Sequence, residues 1–294
     1  MAQLVNLFAM DLNGYSTVYR GNGQADTPIN LYVRYVCGFG MHSSETPAIE
    51  TNGLTKQYGD TVAVNDLTMR VDTGTVYGFL GPNGAGKTTT MQMLTTLTRP
   101  TSGTAMVAGH SVTHREAVTP HIGYLPDEPP LYDELTGREQ LRYVAGLRDL
   151  PEASTRERIE DMLDRFDLIE DADRRIGGYS KGMRQKVGAI QAVLHEPDVA
   201  FLDEPTSGLD PRAARTMREM IADLANQDMT IFLSTHILPV VDELADRIGV
   251  IYHGELVAEN DPERLKSRAE TGEVRSLEDV FLEITDERTE GTVK

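Results

Sequence analysis

The sequence predicts an α/β fold: a mixed sheet core, an antiparallel β subdomain ahead of it, and an α-helical insertion. Three observations predict this. An apolar run, Val76–Leu80, enters a glycine-rich loop, and a helical stretch at 87–96 leaves it. Further apolar runs of strand length recur at Ile122–Leu125, 199–202 and 230–234, the last two flanking a helix at about 212–225. Between them, from about residue 128 to 195, apolar residues recur at helical spacing.

Taken in order, 49–54 and 67–71 alternate well enough for antiparallel strands, with turns at Gly59-Asp60 and Asp72-Thr73-Gly74. After the first helix, 99–103 breaks the chain and 104–108 returns as a strand. Ile122–Leu125 is ended by Pro126-Asp127-Glu128-Pro129-Pro130. Helices are expected at 135–150, 153–166 and 182–194, with Pro151 at a helix start and Gly177-Gly178 in a loop. The segment 248–252, His253-Gly254 and 255–258 reads as a hairpin near the sheet edge. A short closing helix is expected at 277–284, and 286–294 as a polar, frayed tail.

The organising stretch is Gly81-Pro82-Asn83-Gly84-Ala85-Gly86-Lys87-Thr88, a full match to the phosphate-loop pattern. Its glycines let backbone N–H groups turn inward as a nest for polyphosphate, at the positive end of the following helix. Lys87 reaches the outer phosphates, the Thr88 hydroxyl suits Mg²⁺, and Thr89 continues the binding segment. The expectation is a bound nucleoside triphosphate.

Four further signals lie downstream. A strand ending Phe201-Leu202-Asp203-Glu204 delivers Asp203 to the carboxyl edge of the sheet as a metal-holding group, with Glu204 to polarise the attacking water. Ser180, in Tyr179-Ser180-Lys181-Gly182-Met183, stands where an N-cap precedes a helix, and Gly182 permits close backbone approach. Ser207-Gly208-Leu209-Asp210 and Ser234-Thr235-His236 complete the set. Tyr58, beside the Gly59 turn, either stacks on a nucleotide base or packs under the sheet.

Composition bounds the rest. The 294 residues carry a formal net charge of −18, which argues against nucleic-acid binding. Six lysines stand against twenty-two arginines, a style shared by salt-adapted proteins and by ordinary acidic cytoplasmic ones. No stretch approaches the roughly 20 apolar residues that cross a bilayer, so a membrane role requires a partner chain. The single cysteine, Cys37, fits a reducing cytoplasm. Residues 1–40 are charge-balanced by Asp11, Arg20, Asp26 and Arg34 and hold six of eighteen Phe and Tyr residues. They are expected to be a non-conforming extension ahead of a true start at Met41, which mass spectrometry of the native N-terminus tests.

In this order and spacing, over about residues 48–285, the motifs resemble the ATP-binding subunit of an ABC transporter. The resemblance implies a P-loop NTPase (RecA-like) core with a helical subdomain at about 128–195. It implies ATP and Mg²⁺ as ligands: Tyr58 against adenine, residues 81–89 around the phosphates, and Thr88, Asp127 and Asp203 near the metal. It assigns catalysis to Glu204, His236 and Lys87. It also implies that Ser180, Gly182 and Asp210 serve a site completed by a second ATP-binding subunit, in a head-to-tail dimer on a membrane-spanning permease at the cytoplasmic face of the membrane. Residues 276–283 are similar to the tail of subunits serving ABC-2-type, drug-resistance exporters.

Two departures stand out. Tyr179, Lys181 and Met183 replace three of the five residues of the usual Leu-Ser-Gly-Gly-Gln signature, and Asp127 stands where a glutamine is usual. A carboxylate there adds charge beside phosphates and donates no hydrogen bond when ionised. The alternative function is a soluble ATPase of the same type acting on ribosomes or DNA, which the acidic charge and the single ATPase unit disfavour.

Overall fold

A computed structural model describes residues 46–267, together with Glu278, Phe281 and Leu282. The expected extension at 1–40, the start at Met41 and the 286–294 tail lie outside the described residues. Of the expected closing helix only those three residues are described, and all three are helical.

The chain opens as an antiparallel hairpin of β1 (Ile49–Tyr58) and β2 (Thr61–Val71), both longer than the alternation predicted. Ile49, Thr51 and Leu54 face inward, and the break in parity falls at a register shift after Thr51. A bulge there admits one extra residue and restores Leu54 to the core. With β4 (Ser102–Val107) and β5 (His110–Ser111) these strands form one sheet in the order β2-β1-β4-β5. Strand β4 starts inside the stretch expected as a break, because Ser102 pairs with Thr55 of β1.

The second sheet runs β10-β9-β3-β8-β7-β6. Its members are β3 (Val76–Leu80), β6 (Ile122–Leu125), β7 (Val199–Asp203), β8 (Thr230–Thr235), β9 (Arg247–Tyr252) and β10 (Glu255–Asn260). Five are parallel and β10 is antiparallel to β9 at the edge. Every residue of β3, β7 and β8 is buried, as expected of central parallel strands covered on both faces. Phe232 in β8 joins the strands sideways, its ring 5.4 Å from Tyr77, 5.2 Å from Phe79 and 5.6 Å from Phe201.

Helix α1 (Lys87–Leu94) follows the loop after β3, and it ends two residues earlier than expected because Thr96 adopts a positive φ of 63°. The insertion holds α3 (Gly137–Leu147), α4 (Glu152–Arg165) and α5 (Lys181–Val193). A capping box of Thr136 and Glu139 starts α3. Leu141, Leu163 and Val187 of these helices share one apolar core with Leu202 and Leu233 of the sheet. Helix α5 is the bridge: nine of its thirteen residues are buried.

Helix α6 (Pro211–Ala225) lies between β7 and β8 in sequence, as expected. Besides two single-turn 3-10 helices, Thr119–His121 and Ile176–Gly178, four described elements went unpredicted: β5, α2 (Arg115–Val118), α7 (Leu238–Leu244) and α8 (Pro262–Ser267). Each spans at most seven residues, too few to display a helical period.

Candidate nucleotide site

The loop at 81–88 is anchored from behind by backbone. Ala85 accepts a hydrogen bond from the Gly254 N–H at 2.9 Å, and Gly254 in turn accepts from Asn65 N–H of β2 at 2.8 Å. His253 and Gly254, both at positive φ, form the tip of the β9–β10 hairpin. The edge hairpin therefore ties the phosphate loop to the antiparallel sheet. Gly86 has φ of 109°, and a Cβ there would lie 2.6 Å from the Ala63 carbonyl, so no side chain fits. Beside Gly84, by contrast, space is open on the side a Cβ would occupy.

Lys87 is 5 % exposed. Its Nζ donates to the Gly81 carbonyl at 2.7 Å and the Pro82 carbonyl at 3.2 Å, and lies 3.3 Å from Glu204 Oε1. The carboxylate of Glu204 accepts from Thr235 Oγ1 at 3.2 Å and sits 3.0 Å from His236 Nδ1. Its backbone is held at φ of 49° by an N–H bond to the Ser234 carbonyl. A carboxylate at a left-handed position immediately after a buried strand is a strained arrangement, of the kind that clusters at functional sites.

Asp203, 1 % exposed, accepts hydrogen bonds from the Ser234 and Thr88 hydroxyls. Burial, opposed by those bonds, raises its carboxyl above the ordinary range. Tyr124 of β6 lies close by: burial first, then the charges of Asp203 and Asp127, push its hydroxyl up. Asp127, exposed after β6, thus stands on the same side as Asp203.

The structure brings Lys87, Thr88, Asp203, Glu204 and His236 into one contiguous cluster. Ser180, Gly182 and Asp210 assemble separately. Ser180 caps α5, accepting from Met183 N–H at 3.2 Å, and Asp210 caps α6, accepting from Arg212 and Ala213 N–H at 3.0 Å. Those N–H groups hold the Asp210 carboxyl below its usual range. A Cβ on Gly182 would lie 2.9 Å from Ala213 Cβ, so the two helix starts abut. No hydrogen bond among the described residues joins them to the phosphate loop. Tyr58 is not packed under the sheet: its ring is 49 % exposed, with Lys56 Nζ 4.8 Å from the centroid.

Sequence reasoning quoted Ser234 and Thr235 only as neighbours of His236. Their hydroxyls in fact orient the two carboxylates, and the signal available was two hydroxyls closing an otherwise apolar strand. Tyr124 carried no comparable signal.

A phosphate loop opening a helix, with carboxylates from the adjoining parallel strand end, defines a P-loop nucleoside triphosphatase. The family model described as ABC transporter matches residues 64–207. The daunorubicin/doxorubicin resistance ATP-binding protein DrrA of Streptomyces peucetius is 43 % identical over 77 % of this chain and 69 % of its own length. The bacitracin transport ATP-binding protein BcrA of Bacillus licheniformis is 39 % identical over 75 % of this chain and 72 % of its own. A solved ATP-binding subunit of an ABC transporter superposes with a TM-score of 0.74 at 31 % identity, covering 81 % of this chain and 99 % of that one. The chain belongs to the ABC transporter family as an ATP-binding subunit, and it is an ATPase.

Proposed function

We propose that the chain hydrolyses ATP to drive export through a separate membrane-spanning partner. The observation that supports this most directly is the Glu204 carboxylate, held between Lys87 and His236 and adjoining Asp203. Lys87 and the loop N–H groups neutralise the outer phosphates. Glu204 orients the attacking water, and His236, within hydrogen-bond reach of Glu204, holds that carboxylate and stabilises developing charge. The Thr88 hydroxyl and the Asp203 carboxylate are hard oxygen donors that suit Mg²⁺, with Asp127 nearby. When bound, Mg²⁺ would offset charge on the phosphate oxygens.

Among the described residues no hydrogen bond joins Ser180, Gly182 or Asp210 to the chain's own phosphate loop. They therefore serve the site of a second ATP-binding subunit, in a head-to-tail dimer of this chain closing over two ATP. No helix among the described residues is long and apolar enough to cross a membrane; the relatives named as transport and drug-resistance ATP-binding proteins support a place at the cytoplasmic face through a separate permease. Export is favoured over import by the relatives named for drug resistance.

Glu204→Gln is expected to bind ATP normally and to lower turnover by at least about 100-fold, accumulating as an ATP-bound dimer. Near-normal hydrolysis in that variant removes Glu204 from its assigned role.

A further inference from the structure

Behind the phosphate loop, three stretches of backbone far apart in sequence converge on Gly254. It is buried at the tip of the β9–β10 hairpin, while His253 beside it is exposed. Both have positive φ, as a two-residue turn between the paired Tyr252 and Glu255 requires. Such a turn closes through its flanking residues and asks nothing of the N–H and C=O at its tip. Here both are used. The Gly254 N–H donates to the Ala85 carbonyl at 2.9 Å, and the Gly254 carbonyl accepts from Asn65 N–H at 2.8 Å. The packing is equally close. A Cβ on Gly254 would lie 2.9 Å from the Ala63 carbonyl oxygen, the same oxygen that a Cβ on Gly86 would meet.

The bond to Ala85 sets a direction. In a planar trans peptide the C=O of one residue and the N–H of the next point opposite ways. With the Ala85 carbonyl drawn toward Gly254, the Gly86 N–H on the same peptide is turned away from the hairpin. Among the described residues nothing accepts from it. The neighbouring Ala85 N–H is already engaged inside the loop, donating to the Pro82 carbonyl at 3.2 Å. Gly86, at φ of 109°, can take either sign of φ, so the loop by itself leaves this peptide free to flip. The Gly254 bond opposes the flip.

We infer that Gly254 is a positioning residue for ATP binding: its N–H holds the Ala85–Gly86 peptide so that the Gly86 N–H donates to phosphate. Its carbonyl, through Asn65, fixes the same point to β2, whose Thr61 pairs with Tyr58 at the start of the hairpin. A backbone nest binds an anion well when its N–H groups already point at it, because ordering them on binding costs affinity. The inference rests on ATP binding at the phosphate loop and requires no membrane partner, so a failure of the export proposal leaves it standing.

The test removes the N–H and nothing else. Glycolic acid placed at position 254 of the full chain by nonsense suppression turns that amide into an ester without adding a Cβ. Affinities for ATP and for inorganic tripolyphosphate are measured by equilibrium titration, together with hydrolysis kinetics and melting of the nucleotide-free chain. Both affinities are expected to fall at least about tenfold. KM is expected to rise with them while kcat stays within about twofold. Lactic acid at Ala108 is the control, since it deletes an equivalent bond, Ala108 N–H to the Ala48 carbonyl at 2.8 Å, away from the loop. This second ester is expected to bind both probes as the parent does.

Parent-like affinity for both probes in the position-254 ester overturns the inference, as does an equal loss in the position-108 ester. A fall in kcat with KM unchanged overturns it too. Weakened ATP binding with tripolyphosphate binding intact places the effect away from the phosphates and overturns the assigned orientation. A position-254 ester that no longer melts cooperatively makes the bond a folding contact, which also overturns a role in positioning.

Discussion

Ser180 does two jobs that a single substitution can separate. Its hydroxyl caps α5, and in the proposed dimer it also faces phosphate bound by the other chain. Aspartate is as good an N-cap as serine and favours the positive end of the helix, yet it repels phosphate. Ser180→Asp is therefore expected to melt within about 0.5 kcal/mol of the parent while ATPase activity falls by about 100-fold or more. Parent-like turnover would reduce Ser180 to a cap. The neighbouring Tyr179, one of the departures from the usual signature, is accommodated by the packing around it. Its ring is buried and its hydroxyl donates to the Asp171 carbonyl at 2.7 Å, so the larger side chain satisfies its own polar atom.

At the scale of elements, α5 carries the most strain on its sequence. It must cap toward the proposed interface, bury most of its length and end against β6. At that end, His195 Nε2 lies 2.9 Å from the Ile122 carbonyl, so this nitrogen holds the proton and donates, while Nδ1 is buried without a partner. Burial, with Arg148 and Arg158 nearby, pushes the imidazole down to about 4. The folded protein thus binds fewer protons here than the unfolded chain between about pH 6.5 and about 4, and stability falls as pH drops through that window. Discounted for its partial exposure, the loss is about 1–2 kcal/mol. Denaturant unfolding of the parent against His195→Gln should show the parent's extra loss across this window. Parallel pH curves would contradict the assignment.

For the whole molecule, the net charge of −18 sets a condition-dependent cost. Self-repulsion among carboxylates opposes compaction, and salt shortens its reach. Raising NaCl from about 0.05 M to about 1 M, where the screening length falls to about 3 Å, is expected to raise the melting temperature by several degrees. A flat or falling melting temperature would show that surface pairs, rather than net repulsion, dominate.

How much was legible varies with the range of the interaction. The strands β3, β6, β7 and β8 were read within a residue or two, because a parallel strand covered on both faces is a continuous apolar run whether central or, like β6, at the edge. The phosphate loop was read residue by residue, since its chemistry lies in eight consecutive positions. Asp203, Glu204 and His236 were found because each closes an apolar strand and so arrives at one sheet edge. What escaped were the short elements β5, α2, α7 and α8, and the hydroxyls of Ser234 and Thr235, whose meaning depends on β7 lying beside β8. The same dependence hid Tyr124, whose hydroxyl matters only because β6 lies beside β7.

By itself, then, the sequence determined an α/β core around a phosphate loop, and the order of the motifs that make this chain an ABC-type ATPase. Those features are written in contiguous stretches, where local backbone geometry and hydrophobic period suffice. Only the tertiary structure decided that Lys87, Glu204 and His236 form one cluster, that Ser180 and Asp210 stand apart from it, and that Tyr124 lies close to the carboxylates of Asp203 and Asp127. Such facts rest on residues distant in sequence meeting through β-sheet order and helix packing, which no local pattern encodes.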